Sequence, residues 1–417
     1  MVRLTDLDET DARHLTSKAC EPFDTAPWVD GPPVSERRVA IVTTAGLHRR
    51  EDRNFALRDL SYRVIPGAIN AADLVMTQSS VNYDRTGFQQ DVNVVFPIDR
   101  LRELESAGEI GQVADFHYAL NGAGWLPHEI EPTAREIAGL LKEDGVNAAL
   151  LVPVRPNCTR AVGALAHYLE EEGVPTAGIS LVRDNTKRLR PPRFLWTPFE
   201  LGRPFGAPNE PAFQTRVLRS VLALFDHAGP PPVLLDFPDD APGPAADMTG
   251  WTCPIPLPTP EVDTSEPSLR TRVEAEIEQL SPWSQLAAEA RGRTATGVLG
   301  VAIEDVAGFL CGFVESDDPN HAPKALKPGV PLGETARQAC EELKTYYMEA
   351  ATAKPGVFSS RDLADWFWGA TVAGELLLSL HPVFLDHADS GIQNVAQSQL
   401  TPRLQQHRLK GRSSKDL

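Results

Sequence analysis

The sequence predicts an α/β fold: a Rossmann-like, mostly parallel sheet in one or two domains, followed by a mostly α-helical C-terminal domain. Three observations carry this. Short apolar, β-rich runs alternate with helical stretches through the first half of the 417-residue chain. A Pro- and Asp-rich stretch then interrupts them from about Gly229 to Ser265. Beyond it, helical patterns continue without strand signals. The division that follows is an N-terminal arm over 1–38, an α/β domain over 39–245, a Pro-rich linker over 246–265 and a helical domain over 266–417.

The elements read in order as follows. The arm, containing "CEPFDTAPWVDGPPVSERR", is polar and Pro-containing and predicts little regular structure. "RVAIVTTAGLH" places a buried strand over Val39 to Thr43. Further strands are expected at "SYRVIP", "DVNVVF", "NAALLVPV", "TAGISLV" and "RFLWTPF", with another before His117 in "ADFHYAL". "DRLRELESAGEIG" starts a helix at Asp99 as N-cap and stops at Gly108. "PTAREIAGLLKEDG" repeats apolar residues at Ile137, Leu140 and Leu141 and stops at Gly145, and "CTRAVGALAHYLEEEG" puts Ala161, Ala164, Leu165 and Tyr168 on one face before Gly173. "GPPPVLLDFPDDAPGPAADM" is read as surface linker. "SLRTRVEAEIEQL", "GETARQACEELKTYYMEAATA" and "SSRDLADWFWGATVAGELLLSLHPVFLDHA" are helical, the last opened by Ser359 or Ser360 as N-cap.

Composition narrows the function. A formal charge of −17 disfavours nucleic acid and anionic membranes as partners. No run approaches the roughly 18 apolar residues of a membrane helix, and "MVRLTDLDETDARHL" has early acids and no apolar core, so a cytoplasmic location is expected. The cysteines are Cys20, Cys158, Cys253, Cys311 and Cys340, odd in number, widely spaced and without CxxC, which argues against a disulfide framework and a structural zinc. Cys311, inside "VAGFLCGFV", reads as a buried free thiol.

Loops leaving the carboxyl ends of parallel strands line the functional crevice of such a sheet. Three polar loops fall at such places: "TTAGLH" with Thr43, Thr44 and His48; "TQSSVNYDRTGFQQDVNVVFPIDR" with Ser79, Ser80, Asn82, Asp84, Asp91 and Asn93; and "PVRPNCTR" with Arg155, Cys158 and Arg160. A thiol at a helix start flanked by arginines is stabilised as the nucleophilic thiolate. His117 is a candidate for proton transfer. No GxGxxG or GxxxxGK[ST] is present to support a nucleotide site.

At these segments the chain resembles the selenoprotein B family, the B components of the glycine, sarcosine, betaine and D-proline reductases. The likeness spans about Val39 to Gly206 and rests on "VAIVTTAGLH", "SSVNYDRTGFQQDVNVVFPIDRLRELESAGEIGQVADFHYAL", "LKEDGVNAALLVPVRPNCTRAVGALAHYLEEEGVPTAGIS" and "RPPRFLWTPFELGRPFG". The resemblance implies a U-x-x-C or C-x-x-C motif at the strand-to-helix turn. Cys158 takes its second position, and Arg155 stands where the first, attacking residue belongs. This chain therefore lacks the redox pair and keeps one thiol beside a permanent cation.

The expected function is a cysteine-dependent enzyme acting at a carbon–nitrogen or carbon–sulfur bond of a small anionic amino-acid-like substrate, by reductive cleavage or by thiol or sulfur transfer. Cys158 is the nucleophile, Arg155 and Arg160 bind the anion, His117 moves a proton, and Thr43, Thr44, His48, Ser79, Ser80, Asn82, Asp84, Asp91 and Asn93 shape the pocket. No metal or resident cofactor is assigned; an external thiol or sulfur donor is needed, with a thioredoxin-like or carrier protein as partner and a homo-oligomer as assembly. Two alternatives stand beside this: a non-catalytic scaffold or interaction subunit of a reductase-like complex, and a metal-dependent lyase using His48, Asp84, Asp91 and His117.

Overall fold

A computed structural model describes residue 13 and residues 22–122, 126–227, 229–242, 268–353 and 359–409. They divide into two compact units, one within 1–79 and 83–242, the other comprising 80–82 and the described part of 243–417.

The first unit is built on one eight-stranded sheet. Its strands are β1 (Arg38–Thr43), β3 (Tyr62–Pro66), β5 (Gln112–Val113), β6 (Phe116–Leu120), β7 (Ala148–Val152), β8 (Thr176–Ser180), β9 (Arg193–Trp196) and β10 (Val233–Asp236). They run in the order β10-β9-β8-β7-β1-β6-β3, with β5 beside the start of β1. All pairs are parallel except β3 with β6. A separate antiparallel pair joins β2 (Leu47–Arg49) to β4 (Leu74–Met76). Val39 to Thr43 and Ala148 to Val152 are buried throughout, as central strands covered on both faces require.

The chain leaves β1 on one side to form β6, then returns past β1 to form β7 on the other. The sheet is therefore doubly wound, and its topological switch point lies between the carboxyl ends of β1 and β7.

The helices of this unit include α1 (Thr86–Gln90), α2 (Ile98–Ser106), α3 (Glu131–Glu143), α4 (Pro156–Glu171), α5 (Arg183–Leu189) and α6 (Pro211–Leu222). On one face of the sheet, Ile137 and Leu141 of α3 and Val162, Leu165 and Leu169 of α4 pack with Ala40, Val42, Ala149 and Leu151. Helix α4 is buried from Cys158 to Glu170, including Thr159, Arg160, His167 and Glu170, rather than along a single stripe. The arm explains this: Phe23 stacks on His167 with ring centroids 3.7 Å apart, and Val29 N–H donates to Glu170.

Two strand expectations need correction. "DVNVVF" is a 3₁₀ turn over Val92–Val94, because Asp91 and Asn93 spend their side chains on local backbone and on Asp99 instead of leaving the segment extended. "PVLLDF", read as linker, supplies β10, whose backbone completes the sheet beside β9. Two helix starts also move. Helix α2 begins at Ile98 after Pro97, with Asp99 in its first turn. Helix α4 begins at Pro156, which supplies the fixed φ of a first helical residue. The segment 246–265, with Cys20 and Cys253, lies outside the described residues.

The second unit is helical: α7 (Leu269–Arg291), α8 (Ile303–Val314), α9 (Leu332–Ala351), α10 (Ser360–Ala370), α11 (Val372–Asp386) and α12 (Ser390–Ser398). Ser359 caps α10 by accepting from Asp362 N–H. Leu280, Leu310, Leu343, Phe367, Leu376 and Leu380 form its core, with Cys311 and Cys340 fully buried among them. Burial pushes both of these thiols up to about 12. Buried Glu276 accepts from Val372 and Ala373 N–H and so caps α11. Among the described residues no single helix is long and apolar enough to cross a membrane; α10 and α11 reach that length only when joined, and they meet at a 73° bend.

Candidate functional site

Helix α4 starts where the switch point lies. Arg155 is its extended N-cap, and Pro156 and Asn157 open its first turn, so Cys158 sits among the free backbone N–H groups of the helix end. The Cys158 sulfur is fully buried and meets three strand ends. It lies 3.6 Å from the carbonyl of Thr44, just past β1. Gln78 Nε2, two residues past β4, approaches it at 3.6 Å. Gly122, past β6, closes the third side: at φ +59° it adopts a left-handed conformation, and a Cβ there would stand 3.2 Å from the sulfur and 3.0 Å from Thr44 Cβ. A side chain at 122 would both strain the turn and press on the thiol.

Arg155 is the other notable member. It is 6% exposed, and its Nη2 donates to the Gly122 carbonyl at 3.1 Å. Its Nε is buried with no hydrogen-bond partner, and no carboxylate pairs with the guanidinium among the described residues. A buried, permanently charged group with one carbonyl for company keeps donors with which an anion could pair.

The surrounding shell is held from several directions. Gln78 Nε2 also donates to the Asn121 carbonyl at 2.7 Å, and the Asn121 side chain accepts from Ser79 N–H and donates to the Ala56 carbonyl. Thr44 Oγ1 and N–H both reach the Val152 carbonyl, stitching the ends of β1 and β7. Thr43 Oγ1 donates to the Val95 carbonyl and accepts from Ala45 N–H.

The structure thus brings Thr44, Ser79, Arg155 and Cys158 of the expected set to one place, with Thr43 adjoining. Arg160 lies one helical step on, where its Nη2 donates to Asn157 Oδ1 at 2.7 Å. The remaining residues are engaged elsewhere. Asp84 pairs with Arg203 at 2.7 Å and accepts from Thr86 and Gly87 N–H. Burial raises its pKa, but Arg203 and these hydrogen bonds outweigh that and hold it below the usual carboxylate range. Asp91 accepts from Gln214 Nε2 and Asn93 N–H, and Asn93 bridges Asp91 to Asp99, so both knit the turn before α2. His48 Nδ1 lies 2.7 Å from the Arg49 carbonyl, beside Phe55. Ser80 and Asn82 group with the second unit, where Asn82 N–H donates to Ser80 Oγ.

His117 is not brought to the sulfur. It sits near the start of β6, fully buried, with Nδ1 accepting from Ile41 N–H. Ile41 precedes Thr44 by three residues, about 10 Å of strand. Burial, then the nearby Arg102, pull its pKa down to about 3, so the ring is a neutral core acceptor. The His48, Asp84, Asp91 and His117 of the lyase alternative do not converge, and among the described residues no three His, Cys, Asp or Glu side chains are placed to hold a metal ion.

Sequence reasoning missed Gln78, Asn121 and Gly122. The signal for the last two was present, since "NGAG" directly follows a strand end; Gln78 carries none of its own.

Comparison with known proteins finds relatives of this chain. The family model for glycine/sarcosine/betaine reductase selenoprotein B matches residues 33–154, ending one residue before Arg155. The D-proline reductase subunit gamma of Acetoanaerobium sticklandii is 34% identical over 215 residues, covering 50% of this chain and 88% of that protein. The glycine reductase complex component B subunit gamma of Carboxydothermus hydrogenoformans is 28% identical, over 45% of this chain and 44% of its own. The sarcosine reductase complex component B subunit beta of Peptoclostridium acidaminophilum is 29% identical, over 36% and 35%. This chain thus spans most of the first relative and less than half of the other two. No solved structure matches.

Proposed function

Because the chain belongs to the glycine/sarcosine/betaine reductase selenoprotein B family, we propose that it is a cysteine-dependent enzyme, acting at a carbon–nitrogen or carbon–sulfur bond of a small anionic amino-acid-like substrate. The observation that carries this reading is the Arg155–Cys158 turn: a thiol at the switch point of a doubly wound sheet, beside a buried arginine that pairs with no carboxylate among the described residues. The relatives named above are subunits of D-proline, glycine and sarcosine reductases, which supports a reductase-type reaction and an amino-acid-like substrate.

In this reading Arg155 binds the substrate carboxylate through its planar fork. The Cys158 thiolate attacks the carbon bearing the amine: a C–S bond forms, the C–N bond breaks, and the amine leaves with the electron pair and takes up a proton. An external thiol then attacks the Cys158 sulfur. An S–S bond forms, the C–S bond breaks, and the carbon keeps the pair and is protonated. The carbon is reduced by two electrons while two thiols become a disulfide, which a second external thiol reopens. The same first step serves thiol or sulfur transfer when the C–S bond is retained in the product. The thiol donor is a thioredoxin-like or carrier protein partner, and the compartment is the cytoplasm. Proton delivery falls to water or to the partner, since His117 lies at the other end of β6.

Amine release from glycine, sarcosine, betaine or D-proline, supplied with a small dithiol, tests this. Wild-type turnover and none from folded Cys158→Ser is expected; full turnover by Cys158→Ser removes the covalent mechanism. A second reading, a scaffold subunit that has lost chemistry, is favoured by the full burial of the sulfur and by Arg155 in the motif's attacking position. It predicts no turnover with any of these substrates and assembly with a catalytic subunit.

A further inference from the structure

We propose that Gln78 is the positioning residue of the Cys158 sulfur, supplying the N–H that holds its ionised form while the Thr44 carbonyl holds its thiol form. The inference rests on Cys158 being the reactive group. The two polar neighbours of the sulfur differ in kind. The Thr44 carbonyl only accepts, so it satisfies a sulfur that still carries its hydrogen. Gln78 Nε2 only donates, so it satisfies a sulfur that has lost it.

The orientation of the Gln78 amide is fixed. Its nitrogen faces the Asn121 carbonyl at 2.7 Å, a place where an amide oxygen would repel. Of its two hydrogens one serves Asn121 and the other points to the sulfur. The backbone beneath is equally constrained: Gly46 has φ +65°, and a Cβ on it would lie 2.8 Å from Gln78 Cα, so only glycine allows this approach. The Gln78 carbonyl accepts from Arg85 Nη2. A donor locked at the sulfur before ionisation stabilises the charge without reorganising, which is how preorganised sites act.

The test is a pH titration of thiolate ultraviolet absorbance on the full chain, with Cys158→Ser as the blank. That blank subtracts the other cysteines, and Cys311 and Cys340 ionise only near 12. The thiolate fraction of Cys158 at neutral pH should fall severalfold in Gln78→Met, which keeps the length and loses the donor, and about tenfold or more in Gln78→Glu, which places a negative charge at the sulfur. Gln78→Asn, the smallest change, reads the same loss of reach where either of the others does not fold. Folded variants that titrate like the wild type overturn the inference, because a purely space-filling Gln78 would leave the titration unmoved. The outcome is separate from that of the mechanism: full turnover by Cys158→Ser removes the role of Cys158, whereas an unmoved titration removes only that of Gln78.

Discussion

The two ends of helix α4 treat buried charge in opposite ways. At the carboxyl end, Arg193 is fully buried and paired with a carboxylate: it bridges to Glu170, donates to the Val29 carbonyl, and lies 3.5 Å from the centre of the Trp28 ring, although its Nε has no partner. Glu170 in turn accepts from Thr176 and Val29 N–H. Burial raises the Glu170 pKa, opposed by Arg193 and these hydrogen bonds. At the amino end, Arg155 is nearly as buried and holds one carbonyl, and among the described residues no carboxylate pairs with it. One helix thus carries a charge used for structure and a charge left unanswered. A buried charge pairs with an opposite one as a rule, so the missing carboxylate sets the amino end apart from the carboxyl end.

The largest effect should come from breaking the structural end. Glu170→Ala leaves the Arg193 charge buried and unpaired, and urea unfolding should report a loss of about 3–5 kcal/mol. A loss as large from Arg155→Ala would erase the contrast. Next is a pH effect from His117, the buried imidazole away from the sulfur. In the fold it stays neutral down to about 3, while in the unfolded chain it binds a proton below its ordinary value near 6.5. The unfolded state therefore takes up more protons between those limits, and stability falls as pH drops through that window. Between about pH 7 and about pH 5 the loss is about 2 kcal/mol, and His117→Gln should flatten it. Arg155→Lys keeps the charge and loses the fork, so small-carboxylate affinity measured by calorimetry should weaken by roughly 1–3 kcal/mol, with little change in unfolding. Smallest is the stability change of Cys158→Ser, within about 1 kcal/mol by urea unfolding, against complete loss of chemistry.

The comparison also explains what could be read from the sequence. The strand at Val39–Thr43, the strand before Arg155 and the helix after it announce themselves through apolar runs and a proline at a helix start. That local grammar was enough to put Cys158 at a helix end. Partners from distant sequence were not legible. Asp84, Asp91 and Asn93 look like pocket residues in their loop, but Arg203 and Gln214, more than a hundred residues on, claim the two acids. The same side chains turn "DVNVVF" into a 3₁₀ turn against its β-propensity. Gln78 reaches the site only because β2 and β4 pair and bring it against Gly46. That no described carboxylate pairs with Arg155 is likewise invisible in sequence, because the pairing of an arginine is a property of the fold.

The central claim is that the amino end of α4 is a binding site built around a reactive thiol. Mass-resolved iodoacetamide labelling at neutral pH, with and without a small amino-acid carboxylate such as D-proline, tests it most directly. Cys158 should label faster than Cys311 and Cys340, whose burial keeps them protonated. The carboxylate should protect Cys158 saturably, and Arg155→Ala should abolish the protection. Labelling of Cys158 no faster than that of Cys311 and Cys340, or protection undiminished in Arg155→Ala, would contradict the account.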